Sequence, residues 1–241
     1  MRGLGTLINV AAIVLGGLLG RLVGDRLPER IREGLTKACG VSTIFIAVSG
    51  ALEQMLALED GVITASGSIL IVICLALGTL VGELLRIEEG LERFGDWLKR
   101  RTGNGSDARF VDAFVTASLT VCIGAMAIVG SIRDGIEGDW SILAVKALLD
   151  LIIITVMAGS MGRGCVFSAI PVLLLQGSIT LLAGVLAPVM TEAVLKNISL
   201  TGNVLIFCVG VNLVWGKKLK VASMLPTLIF AAIAAYLPAL G

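Results

Sequence analysis

Two groups of opposite charge lie four residues apart inside an apolar run: Lys146 and Asp150 in KALLDLIIITV. On a helix that spacing puts both on one face. Ionisable groups at membrane depth are costly and by default point to an ion or solute path. The pair either neutralises itself as a packing device or exchanges partners with a cation or proton during transport. Asp112, Thr116 and Thr120 repeat every four residues. A carboxylate and two hydroxyls on one face suit a hydrated cation path or a hydrogen-bonded helix seam. Gln176 sits in another apolar run, and Asn9, Thr180, Asn203 and Asn212 are further uncharged polar groups at membrane depth. Glu53 shares a helix face with Ser42 and Ser49, toward the outer side. Asp134, Glu137 and Asp139 come close together around Gly135 and Gly138. Carboxylates at an outer mouth gather cations; the alternative is a solvated turn.

Other chemistry is excluded by what the chain lacks. It has no histidine, which removes Ser-His-Asp and Cys-His catalysis and histidine-ligated zinc. Its five cysteines are widely spaced, with no CxxC pair, and read as small packing residues. No metal site, cofactor or catalytic residue is expected, and no nucleotide-binding motif is present. Gly135-Ile-Glu-Gly138-Asp139 is one residue too long for the Gly-x-Gly-Asp turn of an intramembrane aspartyl protease. The expectation is a protein that is not an enzyme.

The elements that position these residues are apolar helices. The chain is 56% hydrophobic and only 15% charged, with mean hydropathy +0.98, far from the roughly 25% charged residues of a soluble domain. A spanning helix needs about 20 largely apolar residues. Eight segments qualify: 4–23, 38–56, 66–85, 110–130, 141–161, 165–188, 198–215 and 221–239. The sixth, with Pro171, Gln176-Gly177-Ser178 and Pro188, is the one expected to be broken or re-entrant. The loops after segments 1, 3, 5 and 7 hold all of the 19 basic residues except Arg2, Arg133, Lys146 and Lys196. Cytoplasmic loops carry that excess, so both termini are predicted outside, in a bacterial inner membrane. No nucleic-acid partner is expected. The stretch 86–101, RIEEGLERFGDWLKRR, has apolar residues at helical spacing and reads as an amphipathic helix on the membrane surface.

One phrase occurs twice: LGGLLGRL at 15–22 and LGTLVGEL at 77–84. Beyond it, IAVSGALEQ at 46–54 aligns with MAIVGSIRD at 126–134, placing Gly50 on Gly130. The expectation is a duplicated helix pair, 4–56 and 66–134, running parallel within a single transmembrane domain over 1–241. Gly16, Gly20 and Gly24, like Gly78 and Gly82, form the small-xxx-small pattern that lets helix backbones touch.

GAMAIVGSIRDGIEGD at 124–139, KALLD at 146–150, QGSITLLAG at 176–184 and the opening GTLINVAAIVLGGLLG at 5–20 resemble the bacterial YqgA/YdfK-type membrane-protein family, a domain of unknown function. The resemblance covers nearly the whole chain. It implies a polytopic inner-membrane protein without an established substrate, and it transfers no functional residue. Where that family often has Gly after the acid matching Asp150, this chain has Leu151.

The sequence therefore predicts an all-α, polytopic transmembrane helical bundle of about eight spans. Its predicted function is a small transporter or channel for an ion or small polar solute, not driven by ATP. The expected path is lined by Asp112, Thr116, Thr120, Lys146, Asp150 and Gln176, with Glu53, Asp134 and Asp139 at the outer mouth. The partners expected are the lipid bilayer, the solute and a second copy of the chain, docked through the glycine faces as a dimer. The alternatives are a non-transporting scaffold or regulator acting through 86–101 and, third, a membrane-embedded lipid enzyme.

Overall fold

The first helix, α1 (Leu4–Gly24), shows how the chain solves burial in lipid. Its buried face carries Gly5, Thr6, Asn9, Ala12, Ile13, Gly16, Gly17, Gly20 and Gly24. Its exposed face carries Leu7, Leu15, Leu18, Leu19 and Leu22. Small and polar residues face inward and large apolar ones outward, the reverse of a soluble helix. The computed structural model describes residues 2–24, 26–59, 61–105 and 107–237.

The other helices follow this pattern unequally, burying Gly40, Thr43 and Ala47 on one but Phe110, Phe114 and Leu119 on another. They are α2 (Glu29–Met55), α3 (Ser68–Leu84), α4 (Ile87–Arg101), α5 (Phe110–Cys122), α6 (Ala125–Ile136), α7 (Ser141–Met161), α8 (Ala169–Leu181), α9 (Ala183–Leu186), α10 (Glu192–Trp215) and α11 (Thr227–Ala234). Short 3-10 turns at Arg163–Ser168 and Ala222–Met224 precede α8 and α11. A hairpin of β1 (Leu56–Glu59) and β2 (Val62–Ala65) joins α2 to α3, with Leu56 opposite Ala65 and Glu59 opposite Val62.

Glycine contacts fix the helix directions. A methyl group on Gly16 would lie 2.6 Å from the Leu151 carbonyl, one on Gly20 would overlap the Thr155 carbonyl, and one on Gly24 that of Gly159. The matched positions rise together, so α1 and α7 are parallel and their backbones touch. Gly40 packs on Leu213 and Gly50 on Asn203, so α2 and α10 are antiparallel. Gly78 packs on Thr227 and Gly82 on Ser223, so α3 runs antiparallel to the α11 arm. Packing is thus the role of both glycine sets. Both sets are engaged within the chain.

The span count differs from the expected eight. Among the described residues five stretches are long and apolar enough to cross a membrane: α1, α2, α7, Arg163–Leu181 and α10. The number rises to seven if α3 with α4 (bent 55°) and α5 with α6 (bent 62°) each count as one span. The fourth and eighth segments are not straight rods. The fourth breaks at Ile123-Gly124, where Gly124 takes φ +152°, a conformation that L side chains rarely adopt. The eighth is divided between a 3-10 turn and the eight residues of α11, and its last predicted residues lie outside the described ones. The sixth begins as the 3-10 turn at Arg163 and is interrupted at Leu182, between α8 and α9.

The internal repeat finds no counterpart in packing. Its first copy contains an unbroken 27-residue helix, α2; the aligned part of the second is the broken α5–α6 pair. The twin phrases also meet unlike neighbours, α7 running parallel and α11 running antiparallel.

The amphipathic stretch 86–101 forms α4, as expected, but its apolar face lies on protein. Leu98 is buried, and Leu91 and Phe94 pack against the cluster of Phe110, Phe114, Leu205 and Val209. Glu88 is buried, accepts from Ala222 N at 2.9 Å and pairs with Lys217 at 2.9 Å. Lys217 also pairs with Glu92. Burial works against the Lys217 charge, but the bonds to Glu92 and Glu88 outweigh it and hold its pKa above the ordinary value. A helix meant to float on lipid would not bury Glu88.

Candidate functional site: a buried polar layer at a broken helix

α1, α6, α7 and α8 surround the end of α5, where the helix breaks. Below the break the interface is apolar: Ile13, Ala117, Val121, Ile154 and Val172 form one cluster. About one turn further along, each helix changes character. Lys146 and Asp150 on α7 are 7% and 4% exposed, Asn9 on α1 is 0% and Gln176 on α8 is 1%.

The ion pair follows from sequence spacing, as expected. Lys146 Nζ lies 2.5 Å from Asp150 Oδ2. It also donates to the Val121 carbonyl at 2.8 Å. That carbonyl belongs to the last turn of α5, where the backbone has no intrahelical donors and carries partial negative charge. Lys146 thus serves two acceptors, a carboxylate and a helix end. Asn9 faces Asp150 from α1 without closing a hydrogen bond, and both of its amide atoms remain unpartnered.

Asn9 is not alone. Thr6 Oγ1, Ser131 Oγ, Gln176 Oε1 and Nε2, and Thr180 Oγ1 are likewise buried without a partner among the described residues. Helix register places these groups on neighbouring turns. Gly5 packs on Leu143 and Asp134, Gly130 on Leu143, and Gly135 on Thr180. Leaving one buried polar group unpaired costs about 1–3 kcal/mol. These atoms, concentrated where α1, α6, α7 and α8 meet, leave hydrogen-bonding capacity unused among the described residues.

Asp134 closes this layer, and its role corrects the expectation of an outer-mouth carboxylate. It is 0% exposed and accepts from Gly3 N at 3.1 Å and Gly5 N at 3.0 Å. These amides open α1 and have no intrahelical partners, so a carboxylate supplied by α6 caps them. Asp134→Ala is expected to destabilise the protein by about 1–3 kcal/mol, with hydrogen exchange rising first at the start of α1; unchanged exchange there would show that the cap is dispensable.

The remaining predicted residues divide. Asp112 and Thr116 line a cavity of about 650 Å3 at the basic end of the bundle, together with Glu33, Lys37, Arg109 and Asn212. Thr120 donates to the Thr116 carbonyl at 2.8 Å. Asp112 and Thr116 face the cavity, while Ala113, Ala117 and Val121 of the same helix face the core. α5 therefore stands between the cavity and the polar layer, and the residues predicted as one lining divide between the two. Asp139 is a surface group: it accepts from Ser141 N at 3.0 Å and pairs with Arg133 at 3.7 Å. The hydrogen bonds from Ser141 hold its carboxyl below the ordinary carboxylate pKa. Glu53 is exposed on α2 and lines neither this cavity nor the polar layer. Thr6 and Ser131 are site residues that the sequence reading missed. The signal was available for Thr6, three positions from Asn9 on a glycine-rich helix face; nothing singled out Ser131. Among the described residues no three His, Cys, Asp or Glu groups assemble as a metal would need.

Over residues 4–236 the chain matches the family described as Protein of unknown function (DUF554). It is 28% identical over 232 residues to "Uncharacterized protein YqgA" of Escherichia coli (strain K12), covering 95% of this chain and 94% of that one. It is 26% identical over 225 residues to "Uncharacterized membrane protein YdfK" of Bacillus subtilis (strain 168), covering 93% and 92%. No solved structure matches significantly.

Proposed function

The chain belongs to this DUF554 family, and we propose that it is a membrane transporter of an ion or small polar solute, not driven by ATP. The observation that carries the reading is the layer of unpartnered polar atoms on Thr6, Asn9, Ser131, Gln176 and Thr180, set against a buried ion pair at a helix break. Discontinuous helices whose ends face a polar site are how transporter bundles expose backbone to cargo. The layer is rich in paired donor and acceptor capacity from carboxamides and hydroxyls. It suits a small solute that hydrogen-bonds in both directions.

In this mechanism the solute occupies the polar layer, and Lys146–Asp150 forms its charged floor. Asp150 exchanges part of its bond to Lys146 for the solute, while the Val121 carbonyl keeps the ammonium satisfied. Movement of α5 about Gly124 then joins the layer to the cavity lined by Asp112 and Thr116. Basic residues crowd the cavity end, which the positive-inside rule assigns to the cytoplasm. The start of α1, at the opposite end of the bundle, then lies outside.

The scaffold alternative draws on α4 as a free surface helix, and its support weakens because the apolar face of α4 is packed on α5. The test is flux. Protein in liposomes, screened against a panel of monovalent ions and small polar metabolites, is expected to move at least one. Asn9→Leu with Gln176→Met, which removes four unpartnered atoms while keeping volume, is expected to abolish that flux. A double variant that still transports overturns the reading.

A further inference from the structure

A second polar site lies at the basic end of the bundle, apart from the polar layer. A cavity of about 280 Å3 is lined by Arg32, Arg109, Arg163, Asn104, Asp107 and Gly162. Its three guanidinium groups come from three separate places: α2, the residue before α5, and the 3-10 turn before α8. One carboxylate, Asp107, faces them, so the lining carries an excess of positive charge.

Arg32 and Arg109 both reach Glu29, Arg32 through Nη1 at 4.0 Å. Arg32 is anchored by Nε to the Ser160 carbonyl at 3.3 Å, while its Nη2 borders the space above Gly162, within 3.6 Å of where a methyl group there would stand. Arg109 pairs through Nη1 with Glu29 at 2.7 Å. Arg163 makes no side-chain ion pair or hydrogen bond among the described residues. Gly162 takes φ +109°, which turns the chain sharply after α7 and brings Arg163 back to the cavity. Asp107 accepts from Arg109 N at 3.1 Å through Oδ1, and its Oδ2 borders the same space above Gly162 as Arg32 Nη2.

We propose that this cavity binds a phosphate-bearing anion. Planar guanidinium forks match the oxygens of phosphate, and two or three of them gathered around one space are the usual way a protein holds it. The volume falls below the roughly 300 Å3 at which pockets for drug-sized ligands begin, so the site takes a phosphate group and not a nucleotide. It also sits where α5 begins and α7 ends, at the basic end of the bundle, and basic pockets between helix ends hold anionic headgroups. A lipid phosphodiester and a free phosphate ion present the same chemistry here. The site does not depend on the transport reading.

The test uses the full chain purified in an uncharged maltoside detergent, with unfolding followed by tryptophan fluorescence. One arm adds inorganic phosphate against chloride at constant ionic strength. The other adds phosphatidylglycerol against phosphatidylcholine in mixed micelles. A ligand that binds the folded state raises the unfolding temperature. A rise with phosphatidylglycerol alone assigns the headgroup; a rise with inorganic phosphate assigns the free anion. Arg163→Gln, which breaks no bond in the fold, is expected to weaken binding about tenfold, the loss of one charge-assisted hydrogen bond. Arg93→Gln, an exposed arginine on α4 away from the cavity, is expected to leave it unchanged. No rise with either probe, or equal loss in the two variants, overturns the proposal.

Discussion

Lys146→Met is expected to destabilise the protein by about 3–5 kcal/mol, because it leaves Asp150 charged, buried and without its partner. Asp150 is 4% exposed, and Lys146 donates to its carboxylate. The Val121 carbonyl at the end of α5 loses its donor as well. Adding Asp150→Leu to Lys146→Met removes the stranded charge, and most of the lost stability is expected to return, since apolar replacements of buried pairs are often neutral or stabilising. Flux is expected to stay absent in both variants. The combination separates the two roles left open by the sequence: a packing device predicts that flux returns with stability, and a transport element predicts that it does not. Unfolding temperatures in detergent and flux in liposomes, measured on the same preparations, decide between them.

Gly20→Val is the second large expected effect. A Cβ on Gly20 would overlap the Thr155 carbonyl and stand 2.9 Å from Ala158 Cβ. Neither is the flexible end of a side chain, so α1 and α7 must separate. Their contact holds Asn9 against Asp150, and losing it is expected to cost several kcal/mol, at the upper end of what single substitutions do. Gly177→Ala is the contrast. Gly177 lies inside α8 with nothing within 4 Å of an added methyl group. Alanine there is expected to raise stability by up to about 1 kcal/mol, the helix preference of alanine over glycine. Thermal unfolding of the two variants checks the pair. A tolerated Gly20→Val would contradict the backbone contact between α1 and α7.

What was legible in the sequence is what local spacing determines. Four-residue spacing predicted the Lys146–Asp150 pair, and small-xxx-small spacing predicted that Gly16, Gly20 and Gly24 pack against a helix. Neither pattern carries information about the partner, so that α1 would choose α7, and run parallel to it, was hidden. Asp134 was misread for the same reason. A carboxylate near a glycine-rich turn looks solvated until α1 presents Gly3 and Gly5 amides to it. The break at Gly124 was invisible because an isolated glycine inside an apolar run is also a common packing residue. The hairpin at 56–65 did leave a signal, Asp60-Gly61 followed by Val62, Ile63 and Thr64; Asp60 itself lies outside the described residues. The phrase repeated at 15–22 and 77–84 proved to mark two packing surfaces that meet different neighbours.

The division of Asp112 and Thr116 from Lys146 and Asp150 also bears on mechanism. Both pairs belong to the path predicted from sequence, yet α5 stands between them. If α5 swings during transport, the break at Gly124 lets a few residues absorb the change.

The most direct test of the account is the behaviour of the Asn9→Leu, Gln176→Met double variant. Removing four buried polar atoms that have no partner among the described residues is expected to raise the unfolding temperature and, in the same preparation, to abolish solute flux in liposomes. A site maintained for cargo at the expense of stability predicts that opposition. Flux that persists undiminished in the folded double variant would contradict it.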